Sequence, residues 1–351
     1  MKVSMFDQAI WSMIYFASIM KQPYIRPFLV GSAVLQGNLF LAPMAGYTDI
    51  PFRSLCIKHG ADLTYTEMVS AEGLYRDSEK TEELMERASN ERNYAVQLFM
   101  GSLDPIEKAV EKTIPYHPVM IDINAGCPVP KVTRTGSGSA LMKDPELARQ
   151  IVKRITELTD IPVSIKFRLG WDNQSVNFLE FADAVAIGGA SAMTLHTRTR
   201  TEGYAPFAHQ ERLKELCDFR ARHWPQVRVI ASGDLFTAAD VVKVLRTYEV
   251  DAVMVARGAI GNPFIFEDAK ALGEGKEPMP LSTERRIQAL MEHLDATIEK
   301  YGERSACHQM RKCASFYLRG MQGVREAKQA FNTTETRADY AYICARLTSI
   351  N

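Results

Sequence analysis

Eight short apolar runs, each followed by a turn and a helix-period stretch, organise the chain from Leu39 to Gly258. They are Leu39–Met44 (LFLAPM), Asp62–Met68 (DLTYTEM), Tyr94–Phe99 (YAVQLF), Met120–Gly126 (MIDINAG), Val163–Leu169 (VSIKFRL), Met193–Thr199 (MTLHTRT), Arg228–Asp234 (RVIASGD) and Asp251–Gly258 (DAVMVARG). Successive starts lie 23, 32, 26, 43, 30, 35 and 23 residues apart. That spacing holds one strand, one turn and one helix per unit, and parallel strands need such crossovers. Eight units predict a (β/α)8 barrel. A doubly wound sheet is the structural alternative, but it more often shows five or six units.

The connecting stretches carry helix signals. Asp-Pro pairs open Pro105 to Thr113 and Pro145 to Leu158, a capping residue followed by proline in the first turn. Thr237 to Arg246 opens TAAD, close to a capping box. The 43-residue spacing after the fourth run is the outlier. It must hold the loop GCPVPKVTRTGSGSALMKDP, and long loops in compact domains are usually functional.

The flanks differ in character. Ala9 to Met20 is mostly apolar but only 12 residues long, whereas a spanning helix needs about 20. Only Lys2 supplies positive charge before it, so an extension fits better than a signal or an anchor. Past Phe266, ALGEGKEPMP reads as a linker and Ser282 onward as helical. The plan is therefore an extension over 1–32, a barrel over 33–270, a linker over 271–281 and an all-helical domain over 282–351.

With 42 basic and 42 acidic residues the chain is neutral overall, which excludes a globally basic nucleic-acid binder. Charge is uneven, however: Arg304 to Lys328 holds six basic residues and one acid, Glu326. Arg311 and Lys312 sit in this stretch, which is either a solvated helix face or a phosphate-binding surface for RNA. Six scattered cysteines, without CxxC or paired Cys/His spacing, fit a reducing cytoplasm and no metal site.

Barrel enzymes work from the C-terminal ends of their strands. Those ends carry Glu67, Gln97, Asn124, Cys127, Lys166, Arg168, His196, Arg198, Asp234 and Arg257. Any one of them alone is as readily a loop-capping group; their accumulation points to a site. Ser232-Gly233-Asp234 and Ala256-Arg257 place small residues and a guanidinium where many barrels hold a phosphate. Pro43, Met44 and Ala45 offer apolar contact to a flat ring, Gln97 a paired donor and acceptor, and Lys166 a cation. Together these suit flavin mononucleotide (FMN). Cys127 opens the longest loop, and Pro128 keeps it out of the helical region. It is the candidate acid, while Cys56, Cys217, Cys307, Cys313 and Cys344 lie in helical stretches and read as packing residues.

Six ordered motifs then carry a resemblance: APMAGYTDIPFR (Ala42–Arg53), DINAGCPVPKV (Asp122–Val132), SIKFRLGW (Ser164–Trp171), LHTRTR (Leu195–Arg200), IASGD and ARGAIGNPFIF. With a looser match through MRKCASFYLRG (Met310–Gly320), they resemble the tRNA-dihydrouridine synthases, most of all the bacterial B-type branch. The resemblance implies an FMN-bearing barrel and a helical tRNA-binding domain. It implies reduction of the C5–C6 double bond of selected uridines, with NADPH (or NADH) as reductant.

Carried over motif by motif, Pro43, Met44, Ala45, Gln97, Lys166 and His196 line the flavin. Ser232, Gly233, Asp234, Ala256 and Arg257 hold its phosphate. Cys127 protonates C5 while hydride reaches C6. Asn124 and Arg168 contact the uracil edge, Lys131 and Arg134 lie in the loop over the substrate, and Arg198 is placed on the substrate side. Ala125, Ser232 and Ala256 depart from the family pattern of Met, Asn and Gly, as does TEGYAPFAHQ after LHTRTR. Two other readings compete: an FMN-dependent dehydrogenase of a free pyrimidine, disfavoured by the basic helical C-terminus, and a non-catalytic RNA-binding protein, disfavoured by Cys127, Lys166 and Gln97.

Overall fold

The structure is a computed structural model that describes residues 24–205 and 207–348. The apolar segment at 9–20 lies outside the described residues. A hairpin comes first, β1 (Phe28–Val30) and β2 (Ala33–Leu35), paired antiparallel. Then follow β3 (Leu39–Leu41), β4 (Leu63–Tyr65), β5 (Val69–Ser70), β6 (Tyr94–Phe99), β7 (Met120–Ala125), β8 (Val163–Arg168), β9 (Ala192–His196), β10 (Arg228–Ser232) and β11 (Ala252–Val255). Parallel pairing runs β4-β3-β11-β10-β9-β8-β7-β6, and β6 pairs back to β4, so the eight strands close. The expected barrel is present.

One expected strand ends early. The run at Asp62–Met68 gives only β4; after a break a second short strand, β5, follows just past its end and also pairs with β6. The break has a local cause. Thr66 Oγ1 accepts the Gln97 N–H at 3.1 Å, a donor that a continuous ladder would pair with a backbone carbonyl. The chain bulges here and re-aims Glu67 at the first loop, where its carboxylate accepts the Gly46 N–H.

Period-two alternation sorts the strand side chains. Leu39, Leu41, Val96, Leu98, Val253 and Val255 pack outward against the helices. Phe40, Tyr65, Ala95, Met120, Ala192, Ile230, Ala252 and Met254 fill the lower interior together with Phe28, Val30 and Leu35 of the hairpin. The hairpin thus plugs the bottom of the barrel, with the Phe28 and Phe40 rings edge-on at 5.0 Å. Burying each of the Phe, Leu, Ile, Val and Met side chains among them contributes about 1.5–3 kcal/mol.

Helix starts follow the sequence signals with one exception. Asp144 accepts the Leu147 N–H at the start of Pro145–Leu158, and Thr237 with Asp240 forms a full capping box before Ala238–Thr247. At the third unit the helix is Ile106–Thr113 with Pro105 at the cap position, and no side chain caps it. Pro105 has already entered the helical region, with φ −83° and ψ −4°, so Asp104 falls one residue too early.

Four helices follow the barrel: Thr283–Tyr301, Glu303–Tyr317, Arg325–Ala330 and Arg337–Thr348. They share a core of Leu290, Leu294, Met310, Ala314, Tyr317, Phe331 and Tyr340. This domain docks on the barrel. His293 is buried between Phe52 and Tyr317, whose hydroxyl lies 3.0 Å from Nδ1, and Tyr47 meets Phe316 edge-on. Gly261 allows the approach: a Cβ there would sit 2.3 Å from the Phe316 carbonyl carbon. Among the described residues no helix is long and apolar enough to cross a membrane.

Candidate active site

The inward positions that are apolar low in the barrel become polar towards the C-terminal ends of the strands. Gln97 pairs in register with Asp122, Asn124 with Lys166, Arg168 with His196 and His196 with Ser232. The same parity that packs the core therefore delivers these side chains to one mouth. Above them lies a cavity of about 780 Å³, within the range of small-molecule and cofactor sites. Pro43, Met44, Ala45, Gln97, Asn124, Cys127, Lys166, Arg168, His196, Ser232, Gly233, Asp234, Ala256 and Arg257 all line it. Phe316 and Arg319 of the helical domain close one side.

At the end of the cavity beside β10 and β11, two successive lining residues have positive φ, Gly233 at +120° and Asp234 at +49°. Gly258 lies so close to the loop after β10 that a Cβ would sit 2.1 Å from the Leu235 carbonyl oxygen. The Asp234 carboxylate does not suit an anion. It accepts from Arg198 Nη2 at 2.6 Å, the Ala208 N–H at 2.8 Å and Arg257 Nη2 at 3.2 Å. Its part is to hold Arg257, whose guanidinium is also stacked between Tyr204 (4.5 Å) and Phe236 (5.0 Å). A flexible side chain is thereby fixed at the rim in a form suited to a phosphate.

The middle of the cavity is cationic. Burial pulls Lys166 down to about 8, helped by the Arg168 charge, and leaves it largely protonated at neutral pH. Burial and the charges of Arg168, Lys166, Arg198 and Arg257 push His196 well below its ordinary range, so its imidazole is neutral. Asp122 beneath is raised to about 6 by burial, against hydrogen bonds from Gln97 and Ser164 and the Lys166 charge. It is ionised at pH 7.

Cys127 is half-buried on the cavity wall, whereas the other five cysteines are buried in helices. Burial raises its thiol, outweighing the Val129 N–H and the charges of Arg168 and Lys166. The group is therefore held as a thiol, able to give a proton, and not as a nucleophilic thiolate. Its turn is tied down on both sides. The Cys127 carbonyl accepts from Ser139 N and Oγ, at 3.0 and 2.9 Å, and Gly138 packs against it.

Several expected substrate contacts are placed differently. Arg198 does not line the cavity: its side chain is 2% exposed and it ion-pairs with Asp234. Arg168 lines the wall but is braced, donating to the carbonyls of Gly126 (2.7 Å), Thr199 (2.9 Å) and Gly203 (3.3 Å). Asn124 spends its side chain inside the protein, on Gln97 and on the turn at Gly126 and Cys127. Lys131 and Arg134 are exposed on the loop but outside the cavity lining.

The basic helix also divides. Arg311 turns away from Lys312 and donates twice to the Thr334 carbonyl, at 3.0 and 2.7 Å, so it braces the helical domain. Lys312 faces the barrel, where its ammonium donates to the Gly46 carbonyl and lies 5.2 Å from the Tyr47 ring. Arg319 is the exposed cation at the mouth. Sequence reasoning missed the stack of Lys143 (3.5 Å) and Arg200 (4.5 Å) on Trp171. The three residues come from loops after β7, β8 and β9, and no local motif links them.

Comparison with known proteins bears on this arrangement. The family model described as Dihydrouridine synthase (Dus) matches residues 40–350. A probable tRNA-dihydrouridine synthase of Treponema pallidum is 40% identical over 325 residues, covering 91% of this chain and 95% of that protein. tRNA-dihydrouridine synthase B of Pasteurella multocida is 35% identical, covering 86% and 90%. Among solved structures, a 2-naphthoyl-CoA reductase complex superposes with a TM-score of 0.56 at 11% identity, over 72% of this chain and 52% of the other. Histamine dehydrogenase from Rhizobium sp. 4-9 gives 0.53 at 13% identity, over 78% and 51%. At such identity these two speak for the barrel fold alone. The motifs, the eight-stranded barrel with its helical appendage and the near full-length relatives agree, and the chain belongs to the dihydrouridine synthase family, in its bacterial B-type branch.

Proposed function

We propose that this protein reduces the C5–C6 double bond of specific uridines in tRNA to 5,6-dihydrouridine, with Cys127 giving the proton to C5. The observation that carries the reading is the placement of one half-buried thiol on the wall of a cavity, between a cationic floor and a helical domain. The lining fits FMN, because Ser232, Gly233, Ala256 and Gly258 border one end of the cavity with small residues and Arg257 is held beside them by Asp234. When bound, FMN supplies hydride, drawn from NADPH or NADH. Pro43, Met44 and Ala45 offer the ring an apolar edge, Gln97 and Lys166 polar contacts, and Ser232, Gly233, Ala256 and Arg257 a seat for the phosphate.

A uracil stacked in folded RNA must be extruded to reach this depth. Arg319 and the loop cations Lys131, Arg134, Lys143 and Arg200 are suited to the RNA backbone. Arg168 and Asn124 hold the walls of the base pocket and keep Cys127 aimed. Two measurements test the reading. Heating the purified protein should release about one equivalent of FMN, by chromatography against FAD and riboflavin standards. Incubation with NADPH and unmodified tRNA should give a tRNA nucleoside two hydrogens heavier than uridine. Reduction of free uracil or uridine without RNA, in place of tRNA, would overturn it.

A further inference from the structure

Beneath the cavity runs a polar chain whose direction is fixed link by link from the Cys127 turn to Asp122. It ends at the Cys127 turn, where the N–H groups of Gly126 (3.1 Å) and Cys127 (2.9 Å) both donate to Asn124 Oδ1. A backbone N–H can only donate, so Asn124 must turn its oxygen to the turn and its Nδ2 the other way. Nδ2 donates to Gln97 Oε1 at 2.8 Å. Gln97 must then present Nε2 on its far side, where it donates to Asp122 Oδ2 at 2.6 Å. The second Asp122 oxygen accepts from Ser164 Oγ at 2.5 Å. The Gln97 link makes one Asp122 oxygen an acceptor, and the Ser164 hydroxyl serves the other.

Parity places the chain. Asp122 and Asn124 are successive inward positions of β7, and Gln97 is the register partner of Asp122 on β6. All three are buried. In such surroundings a reversed amide sets donor against donor or acceptor against acceptor, at the cost of the buried hydrogen bond.

We propose that Asp122 is a positioning residue for Cys127: its buried carboxylate fixes the orientation of both amides and so clamps the turn that aims the thiol into the cavity. An asparagine at 122 can serve the chain in either direction. With its oxygen to Gln97 it keeps the order only if its NH2 finds the Ser164 hydroxyl as acceptor; with its NH2 to Gln97 it sets that amide, and then Asn124, against the two backbone N–H groups of the turn. The inference rests on the proposed role of Cys127 only for its catalytic meaning, because the clamp can be read on the thiol without tRNA.

The test uses the reverse polarity of the same chain. In the double variant Asp122→Asn with Asn124→Asp, the new amide at position 122 can donate to Gln97 Oε1, and Gln97 Nε2 to the new carboxylate at position 124. That carboxylate can accept the two backbone N–H groups, and Ser164 still has an oxygen to donate to. The readout is the rate at which iodoacetamide alkylates Cys127 in the purified holoprotein, assigned by peptide mass, with Cys127→Ser as background.

D122N should raise that rate on the order of tenfold, the factor set by losing one buried anchoring hydrogen bond. The double variant should return it to near the wild-type rate. An unchanged rate in D122N, or a double variant as reactive as D122N, would overturn the clamp. If D122N is recovered unfolded, melting temperatures of N124D and the double variant replace the rates. The clamp requires that adding D122N to N124D raise the melting temperature, and a fall overturns it. Restored thiol protection in a protein that makes no dihydrouridine would sink the proposed function and leave the clamp standing, and an active enzyme whose variants fail the rescue would do the reverse.

Discussion

Replacing Asp234 by asparagine isolates the electrostatic support of Arg198 and Arg257 at the cavity wall. The substitution keeps size and shape, and asparagine tolerates the positive φ of +49° as aspartate does. What changes is charge. The carboxylate accepts from Arg198, Arg257 and the Ala208 N–H, and Arg198 is 2% exposed against 14% for Asp234. Asparagine has one acceptor oxygen, so its NH2 must face a guanidinium, and Arg198 loses the carboxylate that neutralises its buried charge. Breaking a buried pair in this way costs about 3–5 kcal/mol. At about 2 °C per kcal/mol for a chain larger than 150 residues, the melting temperature should fall by roughly 6–10 °C. Adding Arg198→Met should recover part of the loss, because neutral groups in place of both partners bury no charge at all. Thermal unfolding followed by circular dichroism reads all three proteins. A D234N curve that superimposes on wild type, or losses that add in the double variant, would refute the reasoning.

Three further outcomes are expected. Arg319→Glu should weaken tRNA binding and lower the slope of log affinity against log salt by about one unit, as for one phosphate contact; Arg311→Glu should instead destabilise the helical domain, because that guanidinium holds Thr334, and binding isotherms with melting curves separate the two. His293 is pulled down to about 3 by burial, with Lys312 adding to it, against an unfolded value of about 6.5. The unfolded chain therefore binds the extra proton between those values, and this residue's contribution to stability falls with pH below about 6.5, by about 1.4 kcal/mol per unit. Denaturant titrations of wild type and His293→Gln at pH 7.5 and 5.0 should show the variant losing less, and parallel losses would contradict this. Gly258→Ala should abolish retention of FMN on purification, because its Cβ would lie 2.1 Å from the Leu235 carbonyl; normal retention would remove that loop from the phosphate seat.

The barrel was legible because period-two strands and their spacing repeat eight times, and the residues that line the cavity were legible because they stand at strand ends. What escaped is non-local. The β1–β2 hairpin lies across the boundary drawn at residue 32, although two apolar runs, FLV and AVL, separated by Gly31-Ser32 are a hairpin signal. The break after Tyr65 depends on Thr66 meeting Gln97 across the sheet, 31 residues away. Arg198, Arg311 and Asn124 looked like ligand contacts because they are polar residues near strand ends or on a basic helix. Their partners, Asp234, the Thr334 carbonyl and the Cys127 turn, are set by tertiary geometry, which residue type alone does not encode. For Arg53 in the first motif, likewise, the structure provides an internal partner: a buried pair with Glu91 at 2.8 Å.

The account turns on Cys127 as proton donor. Enzyme whose flavin has been reduced anaerobically should be mixed with unmodified tRNA in a single turnover. Flavin reoxidation and dihydrouridine formation are then followed together, for wild type and Cys127→Ala. General acid catalysis typically contributes about 10²–10⁴-fold, so the variant should lose that factor in both signals while NADPH still reduces its flavin at the wild-type rate. Reoxidation at the wild-type rate with full dihydrouridine yield in Cys127→Ala would contradict the account, because a thiol that only packs the turn would leave the transfer intact.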